Sequence, residues 1–440
     1  MSKYFGTDGI RARFGSDTMN EEFAYRTGRA IGQYLEKKGH VSPCVLIGRD
    51  TRPSGKILLH ACSMGLLESK ASPINCGILP SPALAFEVLR RKASFGIMIT
   101  ASHNPHHDNG IKCFSEKAEK LSVIEESIIE SLIDQANDSP TDSPSLAASN
   151  QLDSYMEAII RSFKPDFLKG LVIALDLANG ATATTTPRVL EHLGAKTISM
   201  HLGEGLINDH CGSEHLESLR DCVVENKADL GIAHDGDGDR IRFLDRAGLT
   251  IDGDQILGLL ALHAHQTNTL QNSSFVATIH SNSGLAKSLE KNGVGVEISD
   301  VGDRNVFAKM QELGLNWGGE SSGHVIASDY LPTGDGLFAA LKVLEASFKR
   351  EKDLGALADE IHLWPSRSLS FKVSRKVPIE EVPSLKMALS QENGRLGNDG
   401  RVLLRYSGTE SKIRLMVEGK SVNLVDSVFE NIGNEIKIAL

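Results

Sequence analysis

Three stretches in which apolar strand-like runs alternate with helical ones, followed by a change of style near Ser366, predict three consecutive α/β domains with mixed, mostly parallel sheets and a smaller C-terminal α+β domain. A second observation points the same way. Loops rich in glycine and polar side chains follow the apolar runs, and in α/β sheets ligands collect where strands end at their carboxyl edge. Length is the third: 440 residues exceed what one core covers, so two to four domains of about 100 to 200 residues are expected. A polar linker before residue 151, the start of a third α/β unit near Gln255 and the change of style near Ser366 give expected boundaries of 1–150, 151–252, 253–365 and 366–440.

In the first domain, helix signals run from Glu21 to Lys38 and end at Gly39, a C-cap residue, and Cys44 to Ile47 reads as a strand. The next loop, Gly48 to Gly55, carries Arg49 and Arg52 among small residues. It reads either as a phosphate-facing loop or as an ordinary helix start. Phe95 to Ile99, apolar apart from one glycine, reads as a buried strand that ends at Thr100-Ala101-Ser102-His103-Asn104-Pro105. A serine in a loop is usually a turn cap, but Pro105 and the glycine turn expected at Asp108 to Gly110 leave no helix to cap. Ser102 is therefore read as a reactive hydroxyl, and the short strand Ile111 to Phe114 brings the charge of Lys112 beside it. No Gly-x-Ser-x-Gly pattern surrounds it, which argues against a hydrolase of that type. Upstream, Phe5 to Arg11 is either a simple turn or an anion-facing loop with Arg11 directed at a phosphate.

A helix at Leu121 to Ala136 precedes Asn137 to Asn150, rich in Ser, Asp and Pro and read as a linker. The second unit then runs through strands Leu171 to Asp176, Lys196 to Met200 and Asp229 to His234. It ends in Asp235-Gly236-Asp237-Gly238-Asp239-Arg240. Three carboxylates separated by single glycines can curl round one hard cation, Mg²⁺ or Ca²⁺, because glycine permits the dihedrals that tight curvature needs. An EF-hand is excluded: its sixth position would be Arg240 and its twelfth Arg246. A cation with an arginine beside it suits a phosphoryl group.

The third unit spans helix Gln255 to His265, strand Phe275 to Ile279, helix Leu285 to Asn292, strand Val296 to Ser299 and helix Asn305 to Leu313. Its closing loop, Gly318 to His324, reads either as a surface turn with His324 satisfied by a neighbour or as a set, Glu320, Ser322 and His324, suited to sugar hydroxyls. The last segment holds strand Ser368 to Val373, helix Ile379 to Gln391, and paired runs Arg401 to Tyr406 and Lys412 to Glu418. Between those runs Arg405, Ser407, Gly408 and Thr409, with Arg414 beyond, read either as a plain hairpin turn or as the hydroxyls and arginines that a phosphate monoester needs.

Composition sets the exclusions. A net charge of −10 opposes general nucleic-acid binding, which relies on basic surface. Six cysteines lack CxxC pairing and read as buried, reduced thiols. Histidines 103, 106 and 107 lie close together, but no cysteine or HExxH pattern supports zinc there. Residues 1–9 contain no apolar signal region, and no apolar run reaches the roughly 18 residues that span a bilayer. A cytoplasmic protein without membrane partners is expected.

The loops at Phe5 to Arg11, Gly48 to Gly55, Thr100 to Pro105, Asp108 to Lys112, Asp235 to Arg240, Val301 to Arg304, Gly318 to His324 and Arg405 to Glu410, in that order, resemble the α-D-phosphohexomutase superfamily, most closely its phosphoglucosamine mutase branch. The resemblance implies four domains around a central cleft, supplying in turn a phosphoserine loop, a metal loop, a sugar-binding loop and a phosphate-binding loop. Carried over, it implies Ser102, Arg11, His103, Lys112 and His324 as catalytic groups. It implies Ser102, Asp235, Asp237 and Asp239 as Mg²⁺ ligands, and Arg240, Asp303, Glu320, Ser322 and His324 as substrate contacts. Arg405, Ser407, Gly408, Thr409 and Arg414 would bind phosphate. The implied reaction interconverts glucosamine 6-phosphate and glucosamine 1-phosphate through a hexosamine 1,6-bisphosphate, with such a bisphosphate as activating phosphoryl donor, on the route to UDP-N-acetylglucosamine. A phosphomannomutase, a phosphoglucomutase or a non-catalytic phosphosugar-binding protein is the alternative, and monomer or homodimer stays open. The chain departs from the family pattern at Ala12, at 113–117, in a shortened stretch at 205–209, and at Ser411.

Overall fold

A computed structural model describes residues 3–135, 146–149, 152–406 and 411–440. Its contacts divide the chain into two compact units, Met1–His280 with Val294–Asp359, and Ser281–Gly293 with Glu360–Leu440.

The first unit holds three five-stranded sheets. The first combines β1 (Ile10–Arg13), β2 (Cys44–Arg49), β3 (Ser72–Ile78), β4 (Phe95–Ile99) and β5 (Asp108–Ser115) in the order β1-β5-β4-β2-β3. The second combines β6 (Val172–Asp176), β7 (Lys196–Met200), β8 (Leu230–His234), β9 (Ile241–Leu244) and β10 (Thr250–Ile251) in the order β10-β9-β8-β6-β7. The third combines β11 (Ser274–Thr278), β12 (Gly295–Ser299), β13 (Trp317–Gly319), β14 (Val325–Ala327) and β15 (Leu331–Gly334) in the order β12-β11-β13-β14-β15. In each, two neighbouring pairs run parallel and two antiparallel, so the expected mixed α/β sheets are present. β4 and β8 lie inside their sheets and every residue of both is buried, which is why they read as unbroken apolar runs. Each is followed directly by one of the two polar loops singled out above.

The turn expected at Asp108 to Gly110 is instead strand. These residues pair with Arg13, Ala12 and Arg11 of β1. Tertiary pairing overrides local turn preference here: Asn109 turns inward and donates to Ser54 Oγ at 2.8 Å, and a side chain at position 110 would strike the Thr100 and Ile10 carbonyls. The pairing sets Arg11, on the edge strand β1, opposite Gly110, two residues before Lys112 on β5. Of the expected linker 137–150, only 146–149 are described; Asn75 of β3 donates to Leu146 O at 2.9 Å and accepts from Ser149 N at 2.8 Å.

Helix α1 (Glu21–Lys37) begins where Asn20 accepts from Phe23 N at 2.8 Å, with Glu21 and Glu22 in the first turn beside the partial positive charge of the helix start. It crosses α2 (Gly55–Glu68) at glycines on both sides. A methyl group at Gly28 would overlap the Cys62 backbone, and one at Gly65 would overlap Tyr25 O and Arg29 N. The backbones touch because neither carries a side chain there. The helix over Gly253–Gln266 starts two residues before the expected Gln255, because Asp252 caps it and Gln255 reciprocates in a capping box.

In the second unit β16 (Ser366–Lys372), β17 (Gly400–Tyr406) and β18 (Lys412–Gly419) form an antiparallel sheet in the order β16-β18-β17. Helices Pro383–Leu396 and Val422–Ala439 supply Leu385, Leu396, Val428 and Ile432 to its core. The helix Ser283–Glu290 groups with this unit through Glu418, which accepts from Ser283 N at 3.0 Å and from Arg401 Nε at 2.7 Å. All six cysteines are free, and no described helix is long and apolar enough to cross a membrane.

The α1–α2 crossing generates a stability test. Gly65→Ala forces two backbones apart and should cost about 1 to 3 kcal/mol, read as a lowered urea midpoint with an unchanged m-value, whereas a variant with wild-type stability would show that the crossing relaxes freely.

Candidate active site

The loop that follows β4 turns at Ser102, which takes a left-handed φ of 52°. That conformation is uncommon for a side chain bearing a Cβ and persists only where the surroundings impose it. They do so through a fully buried arginine. Arg52 bonds Asp50 through its backbone N (2.9 Å) and Nε (3.0 Å). The two terminal nitrogens of its guanidinium donate to the carbonyls of Ser102 (3.0 Å), Asn104 (2.8 Å), Pro105 (2.5 Å) and Asp108 (2.9 Å). Asn208 adds bonds to Ser102 O (2.7 Å) and Asn104 O (3.0 Å). Thr100 closes the loop from inside, donating to Asp50 Oδ2 at 2.6 Å and accepting from Ser102 N at 2.9 Å.

So held, the Ser102 hydroxyl donates to Asp235 Oδ2 at 2.5 Å and lies 3.3 Å from His103 Nδ1. Burial, then the charges of Arg240 and Arg11, lower the His103 pKa to about 3, so the imidazole is neutral. Asp235 opens the acidic loop after β8, and its Oδ1 accepts from Gly238 N and Arg240 N, both at 3.1 Å. Lys112 Nζ reaches Asp237 at 2.8 Å, Asp239 at 2.7 Å and Asp8 at 2.9 Å. Burial alone would lower this lysine, but the three carboxylates outweigh it and hold the ammonium well above its ordinary value. Asp239 is correspondingly held well below the usual carboxylate range: burial opposes this, and Lys112 and His324 outweigh burial. Asp235 goes the other way, pushed well above that range by burial and then by Asp239 and Asp237.

The carboxylates of Asp235, Asp237 and Asp239 present oxygens within 4.8 Å of one another, all buried. Asp237 Oδ1 and Asp239 Oδ1 have no hydrogen-bond donor among the described residues. Outer oxygens without donors, on carboxylates that converge in a dry loop, fit a hard divalent cation.

On the other side His324 sits between Asp239 (3.7 Å from Nδ1) and Asp303 (3.8 Å from Nε2). Burial lowers it, but the two carboxylates prevail and raise it above its ordinary value. Arg240 pairs with His324 in an isolated β-bridge, which joins the acidic loop to the 320–324 turn. Lys120 links Asp303, at 3.2 Å, to Asp8, and Asp8 also pairs with Arg11. Glu320 accepts from Gly302 N at 2.9 Å, and Ser322 Oγ has no partner among the described residues.

The structure thus brings Ser102, His103, Lys112, Arg11, the three aspartates, Arg240, Asp303, Glu320, Ser322 and His324 into linked loops of one unit. Arg405 and Arg414 lie in the other unit, directly opposite each other on β17 and β18. Burial, then the charge of Arg414, lowers the Arg405 pKa; two like charges across a ladder rung repel unless an anion lies between them. Ser407, Gly408 and Thr409 fall outside the described residues. Four residues were not anticipated. Asp8 stands inside the Phe5 to Arg11 motif, where a carboxylate beside an arginine was the available signal. Arg52 was visible only as one of two arginines in a loop read as phosphate-facing or as a helix start, and it faces carbonyls rather than phosphate. Lys120 and Asn208 carry no local signal, and Asn208 lies in the stretch that departs from the family pattern.

Four family profiles match in succession: phosphoglucomutase/phosphomannomutase α/β/α domain I at residues 2–139, domain II at 153–248, domain III at 252–363, and the C-terminal domain at 369–434. Phosphoglucosamine mutase of Desulforamulus reducens is 39% identical, covering 99% of this chain and 100% of that protein. Phosphoglucosamine mutase of Lawsonia intracellularis is 40% identical over 100% and 99% of the two chains. The chain belongs to the phosphoglucosamine mutase family. The fold is likewise shared with a phosphoglucomutase/phosphomannomutase family protein of Burkholderia thailandensis, with TM-score 0.83, 24% identity and coverage of 100% and 98%. N-acetylphosphoglucosamine mutase of Aspergillus fumigatus, solved with GlcNAc-6P and magnesium, gives 0.66 at 16% identity, covering 100% and 96%.

Two substitutions check this geometry. Arg52→Lys keeps the charge but loses the planar fork, so we expect kcat to fall by about a hundredfold with KM little changed; steady-state kinetics at wild-type kcat would show that the loop holds itself. Asp237→Asn should weaken divalent-metal affinity by about tenfold or more in calorimetric titration, and unchanged affinity would remove this carboxylate from the metal site.

Proposed function

We propose that this chain interconverts glucosamine 6-phosphate and glucosamine 1-phosphate by passing a phosphoryl group to and from Ser102. The observation that carries the proposal is the Ser102 hydroxyl, fixed in a strained turn against Asp235 and His103, in a chain similar over its whole length to phosphoglucosamine mutases.

Phosphorylated Ser102 gives its phosphoryl group to the free hydroxyl of the sugar phosphate. The Ser102 Oγ–P bond breaks and a bond from the sugar oxygen to phosphorus forms, while the sugar hydroxyl proton passes to His324, which Asp239 and Asp303 make the stronger base, and the departing Ser102 oxygen takes up a proton to become the hydroxyl again. The resulting 1,6-bisphosphate reorients, and its other phosphoryl group returns to Ser102 by the reverse of the same step. Asp235, Asp237 and Asp239 would hold Mg²⁺ with an oxygen of phosphorylated Ser102, and bound there the ion neutralises charge on the transferring oxygens. Lys112 and Arg11, both kept cationic by carboxylate partners, offset the negative charge that three aspartates and a phosphate bring together. Arg240, Asp303, Glu320, Ser322 and His324 contact the sugar. A hexose or hexosamine 1,6-bisphosphate serves as the activating donor that first phosphorylates Ser102.

Arg405 and Arg414, with Ser407, Gly408 and Thr409, grip the phosphate that is not being transferred. Because that phosphate is untouched in both half-reactions, the grip is similar in ground and transition states and acts as uniform binding. Loss of one charge-assisted contact, worth about 1.5 to 3 kcal/mol, corresponds to roughly ten- to hundredfold.

Ser102→Ala should therefore abolish mutase turnover, and near wild-type turnover would sink the mechanism. Parallel assays with glucosamine 6-phosphate, mannose 6-phosphate and glucose 6-phosphate should give the highest kcat/KM for the first; a clear preference for another sugar would move the chain to a different specificity. Arg405→Ala should raise KM by roughly ten- to hundredfold with a smaller loss of kcat, and a fall in kcat of several orders of magnitude at unchanged KM would place Arg405 in the chemical step.

A further inference from the structure

Beside the acidic loop, a second group of metal-ligating side chains gathers at the carboxyl edge of the second sheet, where β6 runs parallel to β8. Asp176 ends β6, His201 follows β7, and Cys211 precedes the turn at Gly212. One donor atom from each lies within 4.8 Å of the other two. His201 Nδ1 is 3.0 Å from Asp176 Oδ1, yet this buried nitrogen has no aligned hydrogen-bond partner among the described residues. The two pair as ions, and each residue presents a ligand atom within 4.8 Å of the Cys211 sulfur.

The surroundings orient all three. Asp176 Oδ1 accepts from Ala178 N and Oδ2 from Gly212 N, both at 2.9 Å. Cys211 Sγ accepts from Asn179 Nδ2 at 3.7 Å. His201 itself takes a left-handed φ of 53°. Backbone and amide donors aimed at carboxylate and sulfur are the outer contacts that hold ligands in place at metal centres. A tetrahedral ion with bonds of about 2.0 to 2.3 Å places its ligand atoms roughly 3.3 to 3.7 Å apart. The His201–Asp176 pair, at 3.0 Å, would open slightly to reach that spacing, and every ligand atom of the cluster already lies within 4.8 Å of the others.

We propose that Asp176, His201 and Cys211 form a second metal site, which takes a borderline-soft divalent ion of the zinc class and leaves its fourth position to water. The mixed nitrogen, sulfur and oxygen set excludes Mg²⁺, which asks for oxygen ligands in octahedral geometry, and so separates this site chemically from the all-carboxylate loop after β8. Partial exposure of His201 gives the ion a way in. The site also bears on the reactive loop. Cys211 lies three residues beyond Asn208, whose side chain holds the Ser102 and Asn104 carbonyls, so an ion here would tie down the segment that positions the nucleophile.

Cobalt titration of the reduced full-length protein tests this, because a thiolate bound to Co²⁺ gives a near-ultraviolet charge-transfer band that carboxylates do not. We expect that band in the wild-type protein and in Asp237→Asn, its absence in Cys211→Ser, and about tenfold or more weaker cobalt affinity in the half-exposed His201→Gln. Circular dichroism of each variant establishes that it is folded. A wild-type protein without the band, a band that survives in Cys211→Ser, or a band lost in Asp237→Asn would each overturn the assignment.

Discussion

Arg52 is a cation without access to water, and the reactive loop is built from the carbonyls that surround it. A buried guanidinium is tolerated only when its charge is paired and its donors are filled. Asp50 supplies the charge, and the carbonyls of Ser102, Asn104, Pro105 and Asp108 fill the remaining donors. The loop cannot relax without stranding that cation. This is what keeps Ser102 in a left-handed turn with its hydroxyl directed at the acidic loop.

A second buried charge sets the electrostatics around that hydroxyl. Lys112 emerges from β5 between Asp8, Asp237 and Asp239, which come from the opening segment and from the loop after β8. Its ammonium offsets part of a negative cluster that would otherwise repel any incoming phosphate. Lys120 and His324 repeat the pattern further out, each placed between two carboxylates. Alternating signs at contact distance produce a site that is preorganised for a dianion without being strongly positive itself. The overall charge of −10 is thus no obstacle to binding one.

Much of this was legible in the sequence wherever the signal was local. β4 and β7 have the bounds read for them in the sequence, β4 from its apolar run, and the Asp-Gly-Asp-Gly-Asp spacing announces a cation loop before any contact is known. The antiparallel arm β1–β5 was not legible, because Asp108-Asn109-Gly110 carries turn chemistry that only pairing with residues about a hundred positions away overrides. Nor was the role of Arg52. Two arginines three apart in a glycine-rich stretch do not reveal which one turns inward, and the carbonyls that decide it lie about fifty residues downstream. Lys120 escaped for a similar reason: it matters through Asp8 and Asp303, and nothing beside it in the chain marks this.

The central claim is that Ser102 carries the transferred phosphoryl group, and one labelling experiment addresses it without relying on a substitution. The protein is phosphorylated with isotopically labelled hexose 1,6-bisphosphate, the label is located by peptide mass spectrometry, and the isolated phosphoprotein is mixed with glucosamine 6-phosphate in a single-turnover quench. The account predicts label on Ser102 alone, leaving as glucosamine 1,6-bisphosphate at least as fast as steady-state turnover. Label on another residue, or label on Ser102 that departs more slowly than turnover, would contradict it.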